Sequence, residues 1–241
     1  MRVELHRAFV LHQRAYRETS LLLEVFSSRH GRVGLIAQGA RRPRSRLRGI
    51  LQPFYPLLTS WAGRGELGTL THAEPNGPPF ILMGRKLVSG FYLNEVLIRM
   101  LHRHDAHPTL FERYCEALYL LSRAEAEEPV LRVFEKRLLE ELGYGLVLSH
   151  DVDSQAPIED ERDYYYQQDK GPWVTAPPFV PTVKVHGRTL IALAREHLMT
   201  SESLRESKVL MRFVLKPHLG DQPLQSRALF TKPPSSTMIS E

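Results

Sequence analysis

Between Gln38 and Pro53 the chain reads Gln-Gly-Ala-Arg-Arg-Pro-Arg-Ser-Arg-Leu-Arg-Gly-Ile-Leu-Gln-Pro, which sets Arg41, Arg42, Arg44, Arg46 and Arg48 within eight residues with no acid among them. No fold can hide such a run, because five desolvated guanidinium groups without partners would cost far more than folding supplies. Gly39, Pro43 and Gly49 interrupt regular structure, so the stretch is expected to be a surface loop facing water or an anionic partner. Arginine's rigid fork of donors matches phosphate, which makes a polyanion the natural partner. A loop that only keeps the protein dissolved is the plainer reading.

The distribution of charge sharpens the choice. Residues 1–80 hold twelve arginines, five acids and no lysine, whereas residues 149–185 hold seven acids against three basic groups. The whole chain of 241 residues carries only +5, so the positive field is concentrated at one end. The first 75 residues read as five short strands separated by turns: Ala8–His12, Leu21–Phe26, Arg32–Gln38, Phe54–Trp61 and Glu66–Glu74. Regular spacing of this kind predicts a small β-barrel, and among five-stranded barrels the OB-fold is the common choice.

Pro75, Gly77, Pro78 and Pro79 then mark a boundary, and the apolar spacing becomes helical. Helices are predicted over Leu82–Leu101, Thr109–Arg123 behind Pro108, and Val130–Leu142 between Pro129 and the stop at Gly143. Residues 149–185 lose the period and include Tyr164, Tyr165 and Tyr166, so an irregular insertion or small hairpin is expected. Two more helices follow, Arg188–Met199 and Leu204–Lys216, and the Pro- and Ser-rich tail at 231–241 is expected to be disordered. The expected fold class is thus α+β in two domains: an OB-fold at 1–80 and an all-α domain at 81–230 carrying the small insertion.

Chemistry-bearing patterns are few. Arg205, Lys208, Arg212 and Lys216 share one face of the last helix, a stripe that suits solvent and a binding partner equally well. His102, His104 and His107 surround Asp105, a set that could ligate metal but reads more simply as a solvated turn. Cys115 is the single cysteine, which excludes an internal disulfide and a multi-thiolate zinc site. There is no phosphate-binding glycine loop, nucleophile elbow or His-Glu-x-x-His, so nothing points to an enzyme. No apolar run reaches the ~18 residues of a membrane span and Met1–His12 lacks the features of a secretory signal, so a cytoplasmic protein is expected. Tyr16 and Tyr55 are the aromatic residues expected to be displayed beside the arginines as stacking platforms, whereas Phe54 and Trp61 are expected in the barrel core.

Several motifs together resemble the RecO recombination mediators. They are Ala8-Phe9-Val10-Leu11, Tyr16-Arg17-Glu18-Thr19-Ser20-Leu21, Gly31-Arg32-Val33-Gly34, Gly39-Ala40-Arg41 and Leu51-Gln52-Pro53-Phe54. Leu142-Gly143-Tyr144-Gly145, Lys216-Pro217-His218-Leu219-Gly220, Pro223-Leu224 and Ser226-Arg227 continue the likeness through almost the whole chain. The resemblance implies a non-enzymatic, nucleoid-associated repair protein without a cofactor. Such a protein binds single- and double-stranded DNA, anneals complementary strands and associates with RecR. It also binds the acidic C-terminal tail of single-stranded DNA-binding protein and so helps RecA load.

Carried onto this sequence, it implies that Arg14, Arg17, Arg32 and the arginine loop contact phosphates. The helical domain would hold the acidic tail, with Arg132 on its carboxylate and Arg123 and Arg137 as secondary candidates. One departure is plain: many relatives carry a four-cysteine zinc module where residues 149–185 have no cysteine, so no metal is expected and the three tyrosines are expected to pack against the barrel. The alternative from a different class is a protein-interaction adaptor whose basic surfaces dock acidic proteins.

Overall fold

A computed structural model describes residues 2–63, 65–226 and 228. The tail expected to be disordered, and Arg227 of the closing motif, lie outside the described residues. Contacts divide the chain into two compact units, Met1–Phe111 with the segment from Gly220 onward, and Glu112–Leu219.

In the first unit five strands close into a barrel: β1 (Arg2–Tyr16), β2 (Ser20–Ser27), β3 (Gly31–Ala37), β4 (Leu57–Ala62) and β5 (Leu67–Pro75). Their order is β1-β2-β3-β5-β4, with β3 and β5 parallel and the other pairs antiparallel, which is the OB-fold arrangement. β1 is much longer than the apolar run Ala8–His12 suggests. Bulges between Val3 and His6 and between Val10 and His12 bend it, so its first half pairs with β4 and its second with β2. Alternate residues point inward, among them Ala8, Val10, Leu23, Val25, Val33, Leu35, Leu57, Trp61 and Leu70.

The outer face of β1 and β2 is buried as well. The helix α2 (Arg85–Met100) and the first turn of α3 (Pro108–Arg123) cover it, and Phe111 meets Phe9 and Phe26 with ring centroids 5.6 and 5.3 Å apart. Burial on both faces is the physical reason Ala8–Leu11 reads as an unbroken apolar run. The Asn94 side-chain amide donates to the Leu11 carbonyl at 2.9 Å within this layer. Gly90, in the middle of α2, lies under the Phe54 ring, where a Cβ would come within 2.8 Å of it. The segment after Gly220 is clasped by the same helix. Glu95 accepts from the Gln225 and Ser226 amides at 2.9 Å and from the Ser226 hydroxyl at 2.6 Å, while Arg99 donates to the Gln222 and Pro223 carbonyls.

The second unit holds the rest of α3, α4 (Glu128–Glu141), a three-stranded sheet, α5 (Gly187–Ala194) and α6 (Ser201–Leu215). Thr200 caps α6 by accepting from the Ser203 amide at 3.1 Å, and the Ser203 hydroxyl returns the contact. Residues 149–185 are more ordered than expected. β6 (Asp163–Gln167) pairs antiparallel with β7 (Gly171–Trp173) and β8 (Thr182–His186), in the order β7-β6-β8. Strand alternation separates the three tyrosines: Tyr164 and Tyr166 are buried inside this unit, and the Tyr164 hydroxyl accepts from the Glu159 amide.

Helix α5 is also shorter than the predicted Arg188–Met199. Glu196 takes a left-handed conformation at φ 57° and ends it, and its carboxylate is clamped by Lys136 at 3.0 Å and Arg137 at 2.6 Å. No helix among the described residues is long and apolar enough to cross a membrane.

Candidate nucleic-acid interface

The arginine-rich stretch leaves the barrel at the end of β3 and returns through a single helical turn, α1 (Leu47–Ile50). The expectation of a loop throughout is corrected here, since Gly49 sits inside that turn. Two apolar residues, Ala40 and Leu51, are buried in the barrel core and fix the ends. Between them Leu47 and Ile50 also pack against the core, whereas Arg41, Arg42, Arg44, Arg46 and Arg48 are all exposed. None of the five forms an ion pair with a described carboxylate.

Hydrogen bonds then assemble this segment with the end of β1. The Arg41 amide donates to the Thr19 carbonyl at 2.8 Å, and its guanidinium donates to the carbonyls of Arg17 and Glu18 at 3.3 and 3.2 Å. Gln13 donates to Gln52 at 2.9 Å, and Gln52 donates in turn to the Arg48 carbonyl at 3.1 Å. Arg14 and Arg17 are exposed at that end of β1. The Arg17 guanidinium lies 5.2 Å from the centre of the half-buried Tyr16 ring. Seven exposed guanidinium groups thus come from two chain segments that sequence separates and the barrel joins. Like charges held this closely make a field that favours a polyanion over solvent counterions. Tyr55 is half-buried against the barrel core rather than fully displayed, Trp61 is in that core as expected, and Phe54 is buried against Gly90 and Phe91 of α2 rather than in the barrel core.

Other expected contacts are placed differently. The Arg32 side chain is only 18% exposed and lies 3.7 Å from Glu24, which also binds Arg103 at 2.5 Å. Burial, against the attraction of Glu24, lowers its pKa. Arg32 is therefore committed inside the unit; its strand alternation, not its neighbours in sequence, decided that. On α6 Arg205 and Arg212 are exposed, as is Lys216 just past its end, whereas Lys208 is paired with Glu128.

The three residues expected to hold an acidic tail also separate. Arg132 is buried and bound to Glu135 at 2.7 Å, with side chains 6% and 1% exposed. Arg137 makes a two-pronged contact with Glu196 and a further bond to Glu116 at 2.6 Å. Hydrogen bonding to Glu196, above all, raises the pKa of Arg137; Glu196, despite a burial cost, is held below the usual carboxylate range by Arg137 and Lys136. Arg123 alone is exposed, its guanidinium 4.9 Å from the Tyr119 ring centre.

Sequence reasoning missed a groove between α3 and α4. Ala117, Leu120, Val130, Val133 and Phe134 line it, with Arg113 and Arg137 at its rim. Arg113, Ala117 and Leu120 fall four and three apart, so the i, i+4, i+7 spacing was the available signal. His102, His104 and His107 do not gather into a ligand set. Among the described residues the grouping of that kind is His186, Glu202 and Glu206, with atoms within 4.8 Å of one another. In it the His186 imidazole is already engaged by Glu206 at 2.7 Å and by Asp163 at 3.1 Å.

Comparison with known proteins covers nearly the whole chain. A family model described as "Recombination protein O N terminal" matches residues 1–78, and one described as "Recombination protein O C terminal" matches residues 83–228. The chain is 49% identical over 229 residues to "DNA repair protein RecO" of Nitrosococcus oceani, covering 95% of this chain and 93% of that protein. It is 47% identical to the protein of that name from Aromatoleum aromaticum, covering 94% of each. The Methylococcus capsulatus protein of the same name is 49% identical, with 95% of this chain and 93% of the relative covered.

Proposed function

Because this chain belongs to the RecO family of DNA repair proteins, we propose that it acts without catalysis, as a recombination mediator that binds single- and double-stranded DNA and anneals complementary strands. The observation that carries this is the set of exposed guanidinium groups at the end of the barrel with no ion pair to a described carboxylate: Arg41, Arg42, Arg44, Arg46 and Arg48 with Arg14 and Arg17. Two strands brought together repel through their phosphates. Bound to a fixed array of positive charge, each is partly neutralised, and pairing then proceeds against a smaller barrier. Arginine serves this better than lysine, since its fork can hold a phosphate by two bonds while the strand shifts register.

The second unit takes the acidic tail of single-stranded DNA-binding protein in this reading, and RecR and, indirectly, RecA are the further partners. An apolar groove rimmed by arginine suits a peptide ending in an aromatic residue and a carboxylate. The α3–α4 groove, with Arg113 at its rim and Arg123 exposed on α3, supports that role better than Arg132 does. The reading is tested by anisotropy of a labelled single strand between low and physiological salt, followed by annealing of two labelled complementary strands. Sub-micromolar binding that weakens steeply with salt, together with accelerated annealing, is expected. Negligible binding at physiological salt would leave only the adaptor that docks acidic proteins.

A further inference from the structure

We infer that the second unit carries its own site for an unpaired nucleic-acid base, a ring platform made by Tyr144 and His218. The inference rests on the DNA-binding reading above and adds a contact that the arginine cluster does not supply. Leu142-Gly143-Tyr144-Gly145 and Lys216-Pro217-His218-Leu219-Gly220 lie more than seventy residues apart in sequence, and neither has a role in the phosphate contacts except through Lys216. The fold brings them together. The two rings face one another with centroids 4.2 Å apart and planes 39° from parallel.

Core tyrosines are not displayed in this way. Tyr144 is 53% exposed, while Tyr114, Tyr164 and Tyr166 are almost fully buried. One face of its ring is supported by His218, and the exposure leaves a broad part of the ring open. Leu139, Leu146, Val147, Tyr166 and Val214 line a small pocket together with the pair, so the platform is backed by packed side chains. Gly143, immediately before Tyr144, has open space where a side chain would project, so nothing crowds the approach from that direction.

Charge at the rim selects the ligand. Lys170 from the β6–β7 turn lines the same pocket and is exposed. Asp169 also lines it and sets a limit on how much negative charge the pocket itself accepts. A neutral flat ring on the platform with its phosphate toward Lys170 and away from Asp169 satisfies both conditions, and that describes a nucleotide in a single strand. Every base has a π-face, so such a site is indifferent to sequence but requires the base to be unpaired.

The test uses the full chain with two oligonucleotides of equal length and charge, oligo-dT and its abasic counterpart, read by anisotropy at fixed salt. The wild type is expected to prefer oligo-dT, and Tyr144→Ala to lower that affinity about tenfold, the loss of one base–aromatic stack, while affinity for the abasic strand stays unchanged. Tyr144→Phe keeps the ring and is expected to behave as wild type; His218→Ala, which removes the support, is expected to fall between. Circular dichroism melts of each variant establish that it is folded.

Equal loss on both strands, or no loss on either, overturns the platform. So does a Tyr144→Ala protein that keeps its oligo-dT affinity but loses an aromatic-ended acidic peptide, which would make the pair a protein-docking site. Failure of the underlying DNA-binding reading looks different, because the wild type would then bind neither oligonucleotide.

Discussion

Charge reversal at Arg132 is the perturbation an acidic-tail site first suggests, and the structure changes what it should do. Arg132 and Glu135 are one turn apart on α4, bonded at 2.7 Å with side chains 6% and 1% exposed. Removing one member of a buried pair strips the other of its counter-charge, a loss of about 3–5 kcal/mol. At about 2–4 °C per kcal/mol for a chain of this size, the melting temperature should fall by roughly 6–20 °C. Arg132→Glu goes further by facing two carboxylates against each other, so one must take up a proton. Its deficit should therefore deepen as pH rises from 6 to 8, whereas that of Arg132→Met should deepen less. The double change Arg132→Met with Glu135→Leu removes both charges together and should recover most of the loss, since apolar replacements of buried pairs are often neutral or stabilising. Thermal melts at two pH values give the readout. An Arg132→Glu protein that melts within about 2 °C of wild type yet no longer binds the acidic tail would refute the argument and return Arg132 to the surface.

Other consequences are simpler to measure. Replacing Arg41, Arg42 and Arg44 by Ala removes three exposed guanidinium groups, so the slope of log affinity for a single strand against log salt should become shallower by about 2; an unchanged slope would show that these groups do not meet phosphate. Gly31→Ala should give little soluble protein, because Gly31 is held at φ +62° and a Cβ would lie 1.8 Å from the Asp105 carbonyl oxygen; recovery in the soluble fraction at wild-type yield would contradict this. The bond from Glu206 raises the pKa of His186 above its ordinary 6.5. Glu206, despite a burial cost, is held below 4.5 by Thr189 and His186. The imidazolium's stabilising effect is therefore full below about 6.5 and fades as pH climbs through the raised folded value, while that of Glu206 is full above about 4.5 and fades as pH falls through its depressed one. Glu206→Gln should accordingly destabilise most between those limits, so chemical denaturation should show a larger deficit at pH 5.5 than at pH 9, and equal deficits at the two pH values would show that the pair contributes nothing.

The sequence by itself determined the elements whose cause is local. Alternating apolar residues specify the strands, Pro108, Pro129 and Gly143 set helix ends, and the arginine run had to be outside because no interior could accept it. Tertiary structure decided what depends on which face a residue takes and what lies opposite it. Arg32 and Arg132 look as available in sequence as Arg41 does, yet strand and helix geometry turn them onto Glu24 and Glu135. β1 runs to 15 residues because two bulges let it serve two partners, a matter of pairing rather than composition. The same holds for Arg14 and Arg17 beside the arginine segment, for the groove of α3 and α4, and for Tyr144 on His218. Each is a meeting of separate elements, and a pattern with period two or 3.6 says which way a side chain points but not what it will find there.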